Sequence, residues 1–294
     1  MPQKNQTESL SRLAIQKTYK LYVDGKFPRS ESGRTTRFTS ASGDWAAHVS
    51  RASKKDFRDA VTAARAAFPK WSQGTTAYNR GQIAYRIAEM LETRTAQFIE
   101  ELTHQGSTPE DAQKEVAAAV DRLVYFAGWS DKFQQVFSSV NPVSGPYFNF
   151  STLEPTGVVA ALAPEGSALL GLVSVLAPLL VGGNTCVILG SESKPLCAVT
   201  LGEVLNSSDV PPGVVNLLTG SPPELAASFA SHMDVNSVLS FGLSPTEVQK
   251  FKENASLNLK RVVTWSPQKM DAIESPYSIL DFQEVKTTWH PIGT

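Results

Sequence analysis

With 294 residues, 41% hydrophobic and 19% charged, the chain has the composition of a globular protein with a substantial core, which excludes a disordered chain. Its 27 basic and 28 acidic residues leave a formal net charge of −1, so no overall field favours nucleic acid or an anionic membrane, and neither is expected as a partner. The 2 cysteines, Cys186 and Cys197, make neither a disulfide framework nor a zinc cluster, and a reducing, cytoplasmic location is expected.

Residues 1–19 are polar and mixed in charge, without the apolar core of a secretory signal, and read as a flexible leader. "KLYVDGKF" then sets Asp24-Gly25 between β-formers, the signature of a two-residue hairpin turn, and "RFTSASGDWAAHVSRAS" repeats the form around Ser42-Gly43-Asp44. Ser53 and Asp56 resemble a capping box, and Phe57, Val61, Ala64 and Phe68 follow at helical spacing, predicting a helix to about Pro69. Two more amphipathic helices are expected. One carries Ile83, Ile87, Leu91, Phe98 and Leu102; the next opens at Thr108-Pro109 and carries Val116, Val120, Leu123 and Ala127.

Residues 134–146 have turn residues and no helical stripe, so they read as a connector into a short β segment, "YFNFSTLEP". From Gly157 strands alternate with helices. "GVVAALA", "NTCVIL", "VVNLLTG", "SVLSFG" and "KRVVTW" are strands, and "PLCAVTLGEVL", "PPELAASFASH" and "PTEVQKFKENA" are helices between them. This pattern predicts an α/β fold with a doubly wound parallel sheet and right-handed crossovers. The apolar run Leu169–Val181 is broken by Pro178 and falls short of the roughly 20 residues that span a bilayer, so it reads as a buried helix. The chain ends in the β-prone "ILDFQEVKTTWHP", a lone strand that needs a partner edge; the nearest candidate is the β segment near residues 146–155, in this subunit or another.

Glu154-Pro155-Thr156-Gly157-Val158-Val159, "LVSVLAPLLVGGNTCVIL" and "PPGVVNLLTG" together resemble the cofactor-binding domain of the aldehyde dehydrogenase superfamily, and the terminal "EVKTTWHP" is similar to that family's oligomerisation strand. The resemblance implies a Rossmann-like domain over residues 20–268 that includes the β connector near 140–156, followed by a linker and oligomerisation strand over 269–294. The family's catalytic domain, expected between "KRVVTW" and "ILDFQEVKTTW", is missing, which resembles the truncated second unit of aldehyde dehydrogenase family 16. Partnership through Ile279–Trp289, with a second copy or with an adjoining aldehyde-dehydrogenase-like unit, is what the resemblance implies.

The family's functional positions can be followed one at a time. Where active members have Pro-Trp-Asn, with the Asn helping to stabilise an oxyanion, this chain has Pro164-Glu165-Gly166, which offers no side-chain donor there. The family's cofactor-binding Lys-Pro pair is Leu189-Gly190, although Glu192 matches a ribose-binding glutamate. The phosphate turn becomes Phe241-Gly242-Leu243-Ser244-Pro245, so Gly242 and Ser244 join Glu192 as a degenerate cofactor set, and the general-base glutamate position holds Trp265. No catalytic residue and no metal site are expected: His48, His104, His232 and His290 lack metal-ligand spacing, and the cysteines read as core packing. Glu165 is read as a solvated turn carboxylate, with a general acid as the alternative; Trp265 as a plug over the cofactor cleft or a core residue. No cofactor is expected, with NAD held weakly if at all. The implied function is a non-catalytic assembly or interaction unit; an NAD(P)-dependent aldehyde dehydrogenase, or a fragment of one, is the alternative.

Overall fold

The computed structural model describes residues 15–293. Most of the proposed leader, residues 1–14, lies outside them, but its end is held: Tyr19 is buried, and its hydroxyl donates to Glu101 at 3.0 Å. Asp24 and Gly25 take φ of +53° and +67°, so the expected turn forms, closed by reciprocal bonds of 2.9 Å between Val23 and Lys26. Strands β1 (Thr35–Thr39) and β2 (Ala46–Ser50) make the second expected hairpin.

Helix α1 (Lys54–Ser72) starts at the expected capping box, where Ser53 accepts from Asp56 N–H and Asp56 returns the bond. It runs past Pro69 rather than ending there. The turn beyond the proline is held by burial of Trp71, and the helix stops at Gln73-Gly74. The next expected helix is two: α2 (Ala77–Glu92) and α3 (Thr95–His104). The break falls at Thr93 and Arg94, where Thr93 and Thr95 hydroxyls bond back to the carbonyls of Met90 and Glu92. Periodicity missed it because Leu91 and Phe98 stay seven positions apart and both remain buried. Helix α4 (Pro109–Trp129) starts as expected with Thr108 as cap.

The region read as a connector carries a short helix, α5 (Phe133–Phe137), and strand β3 (Ser139–Asn141), so it is partly ordered structure. Strand β4 (Tyr147–Pro155) follows. Then come β5 (Val158–Leu162), α6 (Leu170–Val181), β6 (Thr185–Leu189), α7 (Leu196–Asn206), β7 (Val215–Leu218), α8 (Pro222–Ser231), β8 (Ser237–Phe241), α9 (Pro245–Ala255) and β9 (Arg261–Trp265). Two 3-10 turns and the short α10 (Tyr277–Leu280) lead to β10 (Gln283–Pro291).

The five strands β5 to β9 form one parallel sheet in the order β7-β6-β5-β8-β9. All residues of β5, β6, β7 and β8 are buried, as expected for a sheet covered on both faces. Strand alternation sends Val158, Ala160 and Leu162 to one core with α1, α8 and α9, and Val159 and Ala161 to the other with α6, α7 and the outer helices α2 and α4. Gly157 opens β5 with φ of +132°; a Cβ there would stand 2.2 Å from Asn236 Oδ1, so the position admits only glycine. A second, three-stranded antiparallel sheet has the order β10-β4-β3. All nine residues of β10 pair with β4 of the same chain, Gln283 opposite Pro155 and Pro291 opposite Tyr147.

Candidate functional site

In this sheet topology, ligands bind beyond the carboxyl ends of the strands, where the winding reverses; here that point lies between β5 and β8. At the exit of β5, Glu165 and Gly166 are exposed. Glu165 is nevertheless no free carboxylate. Its Oε1 accepts from Glu192 N–H at 3.0 Å, and its Oε2 accepts from Ser193 N–H at 3.1 Å, Ser191 Oγ at 2.8 Å and Ser193 Oγ at 3.0 Å. Lys194 Nζ donates to the Gly166 carbonyl at 3.1 Å, so the exits of β5 and β6 are tied twice. The expected solvated turn carboxylate is therefore replaced by a bridging one. Exposure and hydrogen bonding are separate properties, and Glu165 has both.

A helix begins with backbone N–H groups that lack intrahelical partners and attract negative charge. At α6, next after the β5 exit, Glu115 from α4 supplies the acceptor: its Oε1 takes Leu169 N–H and Leu170 N–H at 3.0 Å each and Ser167 Oγ at 2.9 Å. This residue escaped sequence reasoning because nothing local marks it; only packing of α4 on α6 brings it there. At α9, beyond β8, Ser244 and Glu247 form a capping box. Glu247 accepts from Ser244 N–H at 2.9 Å and from its hydroxyl at 2.6 Å, and these bonds hold the Glu247 carboxyl below its ordinary range. Pro245 adds no donor there. Gly242 has φ of +86° and lies against Pro267, which a Cβ would approach to 3.0 Å.

The three residues singled out for cofactor binding lie at the exits of two strands that flank β5. Gly242 and Ser244 follow β8, whereas Glu192 follows β6, on the other side of β5, and turns further away: its carboxylate accepts from Ser221 Oγ beyond β7 at 3.1 Å. Beside it, Thr36, Arg37, Val49, Glu192, Pro195 and Gly220 line a cavity of about 170 Å³. Trp265, at the end of β9, donates from Nε1 to Asp281 Oδ2 at 2.8 Å and packs edge-on against Phe241 and Phe282, with ring centroids 5.9 and 5.7 Å away. Its indole thus belongs to the packing that joins the sheet to the chain before β10. Burial pushes the Asp281 carboxyl up, while the Trp265 hydrogen bond and the Arg261 charge pull it back.

With this geometry described, comparison with known proteins decides the family. A model of the aldehyde dehydrogenase family matches residues 27–265. The chain belongs to that family. It is 34% identical over 260 residues to aldehyde dehydrogenase, cytosolic 1, of Elephantulus edwardii, which covers 86% of this chain and 51% of that protein. It is also 34% identical over 250 residues to retinal dehydrogenase 2 of Mus musculus, covering 83% and 47%. Among solved structures, PnpE of Pseudomonas sp. WBC-3 superposes with a TM-score of 0.80 at 29% identity, over 84% of this chain and 50% of that one. Betaine aldehyde dehydrogenase of Staphylococcus aureus in complex with NAD+ gives 0.78 at 26% identity, over 84% and 49%. The chain spans about half the length of the curated relatives it matches.

For an aldehyde dehydrogenase family member, the rim is short of free donors. A dinucleotide needs open backbone N–H groups for its pyrophosphate. At the β6 exit and the start of α6 such groups already bond Glu165 and Glu115; at α9 the Ser244 N–H bonds Glu247, the Glu247 N–H bonds Ser244 Oγ and Pro245 has none, and these residues do not fit the group. Neither cysteine reaches the rim. Cys186 lies inside β6 with its thiol pushed up to about 12 by burial, and Cys197 lies inside α7, also raised by burial, with its Sγ accepting from Gln105 Nε2 at 3.4 Å. His104 stacks on Trp45 with ring centroids 4.2 Å apart. Among the described residues, no group of three or more His, Cys, Asp or Glu is placed to hold a metal, and no helix is long and apolar enough to cross a membrane.

Proposed function

We propose that this chain is a non-catalytic aldehyde-dehydrogenase-like unit that serves assembly or protein interaction and is akin to the truncated second unit of aldehyde dehydrogenase family 16. One observation carries the reading: at the sheet's rim the N–H groups of Leu169 and Leu170, of Glu192 and Ser193, and of Ser244 are bonded to the chain's own Glu115, Glu165 and Glu247. Gly166 at the oxyanion-donor position, Leu189 at the lysine position and Trp265 at the base position point the same way. Within this reading, residues 20–268 are the cofactor-domain relic, residues 269–294 are the linker and oligomerisation strand, and the unit works in the cytoplasm. The partner is a second copy or an adjoining aldehyde-dehydrogenase-like unit, met along the exposed strand part, Glu284–Trp289, of the stretch Ile279–Trp289, whose Ile279 and Phe282 are buried in this chain. The open side of β10 supports this, since only its other side pairs with β4.

A second reading has an observation of its own. The chain matches about half of each relative, which favours a fragment whose NAD(P)-dependent aldehyde oxidation resides in an adjoining full-length unit. Calorimetric titration with NAD and NADP, paired with an aldehyde turnover assay followed by NADH absorbance, separates the two. We expect no turnover and binding weaker than millimolar; saturable binding at micromolar cofactor, or NADH production lost on Cys186→Ala or Cys197→Ala, overturns the proposal.

A further inference from the structure

The geometry points to a carboxylate-binding cradle at the exit of β6, built by Ser191, Glu192 and Ser193 and filled by the chain's own Glu165. A turn carboxylate in water needs no protein donor. Here four donors from three consecutive residues converge on it, two of them backbone N–H groups. Both oxygens are used: Oε1 by Glu192 N–H, and Oε2 by Ser193 N–H and two hydroxyls. Such a set reads the two-oxygen shape of a carboxylate as well as its charge.

The donors are neutral. Lys194, the nearest cation in sequence, spends its ammonium on the Gly166 carbonyl, and among the described residues no Lys or Arg pairs with Glu165. The loop is also braced without Glu165, because Ser191 Oγ accepts from Lys194 N–H at 3.0 Å, and Ser191 itself is buried. Shortening Glu165 therefore leaves a shaped, donor-lined seat open to solvent rather than a collapsed loop. The class of ligand that fits is a small free carboxylate. In the intact chain the tethered Glu165 outcompetes it by effective concentration.

The test is rescue of Glu165→Ala by formate. Thermal unfolding of this variant is expected to fall by roughly 2–5 °C, in line with lost hydrogen bonds to a charged group in a domain of this size. Sodium formate or acetate restores the loss, and sodium chloride of equal ionic strength does not. Amide 15N resonances of Glu192 and Ser193 move on formate titration of Glu165→Ala and stay still in the wild type. Glu165→Gln, whose side chain still fills the seat, loses less and shows no formate effect, which keeps the test decisive if the alanine variant folds poorly. Equal restoration by chloride, or still amides in Glu165→Ala, overturns the cradle. No nucleotide enters these measurements, so NAD binding by the wild type would remove the functional reading and leave the cradle standing.

Discussion

The rim of the five-stranded sheet and the edge of the three-stranded sheet treat backbone polar groups in opposite ways. At the rim, the N–H groups of Leu169, Leu170, Glu192, Ser193 and Ser244 are each matched by a carboxylate from the same chain. Along β10, the nine residues pair with β4 on one side only, and Val285 and Trp289 stand 67% and 59% exposed. A surface with satisfied donors gains little from a ligand, because each new hydrogen bond replaces an existing one. An open strand edge gains a full ladder. The two regions therefore differ in what is left unpaired: the named rim N–H groups already have acceptors, whereas the outer side of β10 has no partner strand among the described residues.

The largest expected effect breaks the joint between the two regions. Phe282 is fully buried, packs on Trp265, and its carbonyl accepts from Thr156 N–H and Asn184 Nδ2 at 3.1 Å each. Phe282→Ala is expected to cost about 3–5 kcal/mol in urea unfolding; a loss of well under half that would mean the joint contributes little. Next, Val285→Lys with Trp289→Lys places two charges on the exposed β10 strand. Light scattering should then show a dimer become a monomer, with the monomer's stability within about 0.5 kcal/mol of wild type. If the wild type is already monomeric, the edge does not recruit a second copy.

A smaller effect comes from Asp281, on the rim side of the joint. Burial raises its carboxyl above the ordinary 3.8, so the folded chain holds that proton more tightly than the unfolded chain. The stabilisation is full below 3.8 and is lost as pH rises through the raised value. Asp281→Asn does not titrate, so its stability relative to wild type should improve between strongly acidic and neutral pH; a gap that stays constant across a pH series of denaturant melts would count against this. The smallest effect is on the β10–β4 pair itself. Lys286 Nζ meets Glu154 at 3.0 Å with both side chains more than half exposed, and Lys286→Ala should cost no more than about 1 kcal/mol. A larger cost would mean that this exposed pair is held by something beyond its own charges.

Much of this was legible in the sequence because it depends on local chemistry. Ser53 and Thr108 start their helices, Asp24-Gly25 takes its turn, and the five apolar runs after Gly157 become the five parallel strands. Pro69 misled because a buried Trp71 outweighs one lost backbone bond, and the α2–α3 break was hidden by a spacing that suits one helix or two. At the rim, the sequence identified Glu165 and Trp265 as departures from the family pattern without saying what either contacts.

By itself, then, the sequence determined the doubly wound sheet, which follows from periodicity and turn residues, and, through the resemblance of its motifs to a known family, the residue types standing at that family's cofactor positions. The tertiary structure alone decided that Glu165 crosses to the β6 exit, that Glu115 arrives from α4 to cap α6, that Trp265 packs into the joint, and that β10 returns to β4 of its own chain. These are long-range pairings between groups of ordinary type. A carboxylate has the same sequence signature whether water or a distant backbone N–H is its partner, and only the packing of the elements that carry both groups sets the distance between them.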